Sequence, residues 1–216
     1  MRYELSRGLV FQSGQYPIFR CTQCGTCCFS TPSITMADVM RLTPAERENL
    51  EVLFNTLVTY PVVIDHELLF VNEVSPVIIS PKSVKNRCVF YKNHSCTIHE
   101  HKPGECALNP FSVSVKFDGK EFVAKPFTPN LCQGLMKGSS ANRKLDDACI
   151  NHLIDMIMHE YFILSLNKIP ATINQLIGLW VNDLKKLRAN DLVSMLKVID
   201  EKRQSLNSPV MFRCCV

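Results

Sequence analysis

The chain has 216 residues, 46% of them apolar, with a formal charge of +4 and 11 cysteines. That length supports one or two domains with a real core, and an odd cysteine count argues against a small disulfide scaffold. Met1-Arg2-Tyr3-Glu4 opens no apolar signal region, and the longest apolar patches, such as Ile154 to Leu166, are broken by Asp155, His159 and Glu160, so neither a secretory leader nor a membrane span is expected.

Arg2 to Phe11 and Tyr16 to Arg20 read as short strands leading into a cysteine loop. There Cys21-Thr22-Gln23-Cys24-Gly25-Thr26-Cys27-Cys28 places four thiols in eight residues. Two-residue gaps let successive sulfurs turn inward around one centre, and soft thiolates at that spacing suit zinc or an iron–sulfur cluster. Gly25 permits a sharp turn between ligands. Adjacent side chains diverge, so Cys27 and Cys28 reach one ion only with local strain. It is easier for each to face one of two neighbouring centres, or for one to stand behind the ligands. Reduced clustered thiols also fit a cytoplasmic setting.

Thr43-Pro44-Ala45-Glu46 is a helix start, with Thr43 as N-cap, Pro44 in the first turn and Glu46 closing a capping box. The spacing of Leu50, Leu53, Phe54 and Leu57 predicts that this helix runs to about Val58. Pro61 to Val71 and Val74 to Ser80 read as extended. Four further cysteines follow: Cys88, Cys96, Cys106 and Cys132. Phe111 to Phe117 and Lys120 to Lys125 flank Asp118-Gly119, the signal of a type I′ hairpin. No internal repeat is read. From Gly138-Ser139-Ser140 the pattern turns helical. Ile150, Leu153, Ile154, Ile157, Tyr161 and Leu164 form one stripe. Pro170 separates a second helix, about Ala171 to Leu187, and a third runs from about Asn190 to Ser205. Trp180 reads as core. The expected fold is α+β: a small, metal-stabilised cysteine-rich domain with short strands (1–138), a C-terminal helical subdomain (139–208) and a flexible tail (209–216).

The opening run, the segment Cys88-Val89-Phe90-Tyr91, the stretch from Cys96 through Pro103, Cys106 and Pro110-Phe111, and Leu131-Cys132-Gln133-Gly134 together resemble the YkgJ-type CxxCxxCC family of zinc- or iron-chelating cysteine-cluster proteins. The resemblance covers about residues 19–135 and includes all eight family cysteine positions. It implies metal binding by Cys21, Cys24, Cys27, Cys28, Cys88, Cys96, Cys106 and Cys132. The chain departs from the family pattern where His99 replaces a Tyr, Lys102 an Arg and Ala107 a second Arg. An Arg there can bind bidentately and these replacements cannot. One branch, the flagellin lysine N-methylases, uses S-adenosylmethionine, so the resemblance admits protein modification. No glycine-rich strand–loop–helix fingerprint marks a methyl-donor site here.

Lys82, Lys85, Arg87, Lys92 and Lys102 surround Cys88 and Cys96, with Glu100 opposing them. They read either as a solvated loop or as charge compensation beside metal thiolates. Bound thiolates would cancel the basic balance, and aromatics do not interleave with it, so nucleic acid is not expected as a partner. His99 and His101 are weak catalytic candidates. With eight thiols available, they read first as surface histidines. His152 and His159 read as helix-surface or interface residues, Cys149 as a small apolar residue, and Cys214-Cys215 as a reactive tail. The expected function is a metal-binding cysteine-cluster protein, carrying an iron–sulfur cluster and serving redox or protein-modification chemistry on a protein partner. The alternative is a structural zinc module acting as an interaction scaffold.

Overall fold

The computed structural model describes residues 1–29, 32–64, 67–117, 120–127, 132–166, 168 and 170–205. In chain order the strands are β1 (Arg2–Ser6), β2 (Leu9–Gln12), β3 (Tyr16–Phe19), β4 (Leu50–Ile64), β5 (Glu67–Pro81), β6 (Ser83–Val84), β7 (Arg87–Cys88), β8 (Tyr91–Lys92), β9 (Ser95–Cys96), β10 (Ser112–Phe117), β11 (Phe122–Phe127) and β12 (Leu135–Ser140). The helices are α1 (Met36–Arg41), α2 (Pro44–Arg47), α3 (Gly104–Leu108), α4 (Arg143–Ser165), α5 (Ile173–Ala189) and α6 (Leu192–Ser205). The fold is α+β, with its long helices at the C-terminal end, as the sequence predicts.

The central sheet has the order β1-β2-β11-β10. β1–β2 and β10–β11 are antiparallel hairpins, joined by parallel pairing of β2 with β11. Leu9 and Phe11 on β2, Val113 on β10 and Ala124 on β11 are fully buried. One cluster of buried side chains joins this sheet to Met36 and Val39 of α1, Phe90, Ile98, Leu153 and Ile157 of α4, Trp180 of α5 and Leu196 of α6. The Trp180 ring meets Phe162 edge-on at 5.1 Å, in keeping with its expected core role.

The helix predicted from Thr43 to about Val58 is wrong beyond its first turn. Its start forms as expected: Glu46 N donates to Thr43 Oγ1 at 3.3 Å, and Thr43 N donates to Glu46 Oε2 at 2.7 Å. The helix then ends at Arg47, and residues from Leu50 onward form β4, paired antiparallel with β5 from Leu50↔Pro81 to Ile64↔Glu67. The run is rich in β-branched residues, which fit a pleated surface and crowd a helix turn. Phe54, placed by the helical pattern on the buried face, is exposed. The segment read as one extended run from Pro61 to Val71 is divided between β4 and β5.

The hairpin over 112–127 forms, but Phe117 pairs with Phe122, so four residues connect its strands rather than the two of a type I′ turn. Asp118 and Gly119 lie outside the described residues. On α4 the buried face is turned toward Cys149, His152 and Phe162. Of the predicted stripe, Leu153 and Ile157 are fully buried, while Ile150, Ile154, Tyr161 and Leu164 are half-buried. Gly138-Ser139-Ser140 belongs to β12, paired with β3.

Candidate metal centre

All eight cysteines of the predicted set line one cavity of about 400 Å³. Four local devices deliver them. Cys21, Cys24, Cys27 and Cys28 sit in the loop after β3. Gly25 there has φ +75°, and a Cβ at this position would run into the Tyr91 ring. The left-handed residue reverses the chain into a one-turn 3-10 helix, Thr26–Cys28, closed by Cys28 N donating to Gly25 O at 3.0 Å. Cys27 and Cys28 both line the cavity, with a hydrogen bond between their side chains.

Cys132 lines the same cavity as Cys21 because β12 pairs with β3. Arg20 N donates to Gly134 O at 3.0 Å, and a Cβ at Gly134 would strike the Arg20 carbonyl. Thus a glycine two residues past Cys132 allows the two backbones to close.

Cys88 and Cys96 come from a two-fold repeat that the sequence reading missed. β6–β7 and β8–β9 are successive two-residue hairpins. Their turn residues, Lys85-Asn86 and Asn93-His94, all have positive φ, between 50° and 62°. That is the type I′ pattern, and asparagine tolerates it better than most residues. In each unit the cysteine stands two residues after the turn. Two residues further on lies a buried anchor, Phe90 in the first and Ile98 in the second. Matching backbone bonds close the units: Val89 N to Lys82 O at 2.9 Å and Thr97 N to Phe90 O at 2.8 Å. The signal available in the sequence was Asn-x-Cys-x-apolar at Asn86 and the related His94-x-Cys-x-apolar eight residues on.

Cys106 lies on α3. Burial pushes its thiol well above the usual thiol range, and burial likewise raises Cys88 and Cys96. Cys24 is lowered, first by a hydrogen bond from Thr26, whose Oγ1 is 3.3 Å from its sulfur. Cys27 is lowered because Cys28 donates to it, with Lys102 assisting, and Cys28 is raised in return. The cavity therefore carries two thiols shifted toward the thiolate, Cys24 and Cys27, beside Cys88, Cys96 and Cys106, whose burial favours the protonated form. A bound cation would reverse that preference.

His99 and Lys102 line the cavity; His101 is not among its lining residues. The His101 Nε2 lies 3.0 Å from Glu46 Oε1, tying the loop to α2. Of the basic residues near Cys88 and Cys96, Arg87 stacks on Phe29 at 4.1 Å and on Tyr91 at 5.1 Å, and Lys82 Nζ donates to Glu48 O at 2.8 Å. Lys102 is the basic member of that group on the cavity wall. Cys149 is fully buried away from the cavity, and burial pushes it up to about 12. Cys214 and Cys215 lie outside the described residues.

The donor set fits soft metal: the described cysteines are thiols rather than disulfides, and the wall between them is largely apolar, with Phe19, Phe90, Ile98 and Pro110. Among the described residues no three such side chains already stand at the separations of a single-ion shell. His152 and His159 belong to the α1–α4 interface rather than to this site. His159 Nδ1 accepts from Met36 N at 3.3 Å, and burial lowers both imidazoles.

The α+β frame thus brings eight thiols to one cavity, a donor set of the kind that suits soft metals. The chain belongs to the CxxCxxCC family, whose model, described as "Putative zinc- or iron-chelating domain", matches residues 20–149. The match extends beyond residue 135 into α4, so the family region includes Asp146 and Cys149, which the sequence reading had left outside. The chain is also 32% identical over 80 residues to an uncharacterised protein of Methanocaldococcus jannaschii; the match covers 35% of this chain and 26% of that relative. No solved structure matches. Among the described residues no helix is long and apolar enough to cross a membrane.

Proposed function

We propose that this is an iron–sulfur protein whose cluster ligands are drawn from the eight cavity cysteines, and that it serves redox or protein-modification chemistry on a protein partner. The observation that carries this reading is the gathering of all eight thiols on one cavity of about 400 Å³. A cysteine-held cluster and a structural zinc each take four thiolates, so eight thiols on one cavity are enough for two centres. The largely apolar wall would shield a cluster held there from solvent and so set its potential.

Such a group, when bound, supplies one-electron chemistry. The protein's own residues do the rest. Lys102 favours the thiolate at Cys27. His99, on the same wall, is the histidine placed to give or take a proton. His101 serves instead to hold the loop on α2.

The test is metal and acid-labile sulfide analysis of the full chain purified without oxygen. Iron with matching sulfide, and visible absorption that bleaches on reduction, is the expected result. Colourless, redox-silent protein loaded with zinc overturns it in favour of the scaffold reading.

A further inference from the structure

Behind Cys106 lies a buried carboxylate that the cysteine pattern gives no hint of. Asp38, on α1, is 1% exposed. Its Oδ2 accepts from Thr35 N and from Thr35 Oγ1, both at 2.9 Å. Its Oδ1 accepts from an Arg41 guanidinium nitrogen and, across 66 residues of sequence, from Gly104 N at 2.9 Å. Arg41 also reaches Asp155 on α4 at 3.4 Å, so the carboxylate is fixed to two helices.

Gly104 is the first residue of α3, and Cys106 is two residues on. A five-residue helix is too short to hold itself, and its first N–H groups lack partners within it. Asp38 supplies one of those partners. On the other side a Cβ at Gly104 would strike the His152 ring of α4, so the glycine is pressed between carboxylate and imidazole. A buried carboxylate is costly unless its hydrogen bonds are filled, and here one of them goes to the segment bearing a cavity thiol.

We propose that Asp38 is the positioning residue for Cys106: by gripping Gly104 against His152, it fixes the helix that presents this thiol to the cavity. The proposal rests on the metal-site reading of that cavity. It assigns to α1 and α4, which carry none of the eight cysteines, the task of setting the geometry of one wall.

The experiment measures alkylation rates of individual cysteines by peptide mapping in the metal-free full chain, with metal content of the anaerobically purified chain measured in parallel. The variants are Asp38→Ala, Asp38→Asn, Gly104→Ala and Gly104→Ala/His152→Ala, with Leu196→Ala as a control for general destabilisation. The readout is the ratio of Cys106 to Cys96 labelling, since Cys96 sits on a hairpin that Asp38 does not touch. Asp38→Ala is expected to raise the ratio about tenfold, the scale of losing one charge-assisted hydrogen bond. Asp38→Asn keeps an oxygen for the Gly104 N–H and should recover most of the wild-type ratio. Gly104→Ala should raise the ratio from the opposite side, and removing the His152 ring should bring it back. Leu196→Ala should leave it unchanged.

An equal rise at all thiols, a similar rise in the Leu196 variant, or an unchanged ratio in both Asp38→Ala and Gly104→Ala overturns the proposal. Should Asp38→Ala fail to fold, the Gly104 pair decides by itself. A wild-type chain that never takes up metal would sink the metal reading, while the labelling ratio still decides the positioning claim.

Discussion

The Tyr16 hydroxyl donates to Asp146 Oδ1 at 2.5 Å in the protein interior, across 130 residues of sequence. Tyr16 begins the strand that leads into Cys21, and Asp146 lies in the first turn of α4. The bond therefore ties the root of the cysteine loop to the longest helix. The Tyr16 ring also packs edge-on against Phe111 at 5.4 Å. Removing the hydroxyl leaves a buried carboxylate oxygen short of a donor, so Tyr16→Phe should cost about 1–3 kcal/mol in denaturant unfolding.

The same pair predicts a pH dependence. Burial first, then the bond to Asp146, raises the Tyr16 phenol far above its usual range. The folded state thus keeps a proton that the unfolded chain gives up. Stability from this group is full below the unfolded value of about 10 and declines as pH rises above it. Unfolding midpoints measured across that range should fall more steeply for the wild type than for Tyr16→Phe.

Metal content should depend on the eight cavity thiols alone. Cys24→Ser and Cys96→Ser each remove a cavity donor and are expected to weaken metal retention at least about tenfold. Cys149→Ser should leave it unchanged, because that thiol is buried elsewhere. Elemental analysis of the three variants checks this, and full retention in both of the first two would remove the basis for the shared site.

The turn of the cysteine loop makes a further demand. Gly25→Ala meets two obstacles, a left-handed backbone and the Tyr91 ring. It should destabilise by about 1 kcal/mol or more and loosen metal binding. Adding Tyr91→Ala relieves the collision but not the backbone cost, so chelator competition should show only partial recovery in the double variant.

The tandem hairpins can be probed at their positive-φ residues. Asn93→Gly should be tolerated or mildly stabilising. Asn93→Val should cost about 1–2 kcal/mol, since a β-branched residue resists the left-handed region. Equal midpoints for the two variants would argue against the type I′ assignment.

The sequence by itself picked out the eight cysteines that share the cavity, the α+β character and the three C-terminal helices. Cysteine chemistry is carried by residue type and spacing, and periodicity over long helices is a strong local signal. Thr43-Pro44-Ala45-Glu46 likewise announced its helix start, since a capping box is closed within four residues. It did not say where that helix stops. Leu50 to Leu57 satisfies a helical period, and pairing with β5 overrode that pattern. The structure alone decided that Cys21 and Cys132 line the same cavity beside the β3–β12 pairing, and that Cys27 and Cys28 share its wall. It also separated His99, on the cavity, from His101, held by Glu46. Asp38 escaped notice because a buried carboxylate leaves no sequence pattern. Its partner Gly104 lies 66 residues away, and such contacts are set by how helices pack rather than by any neighbouring residue.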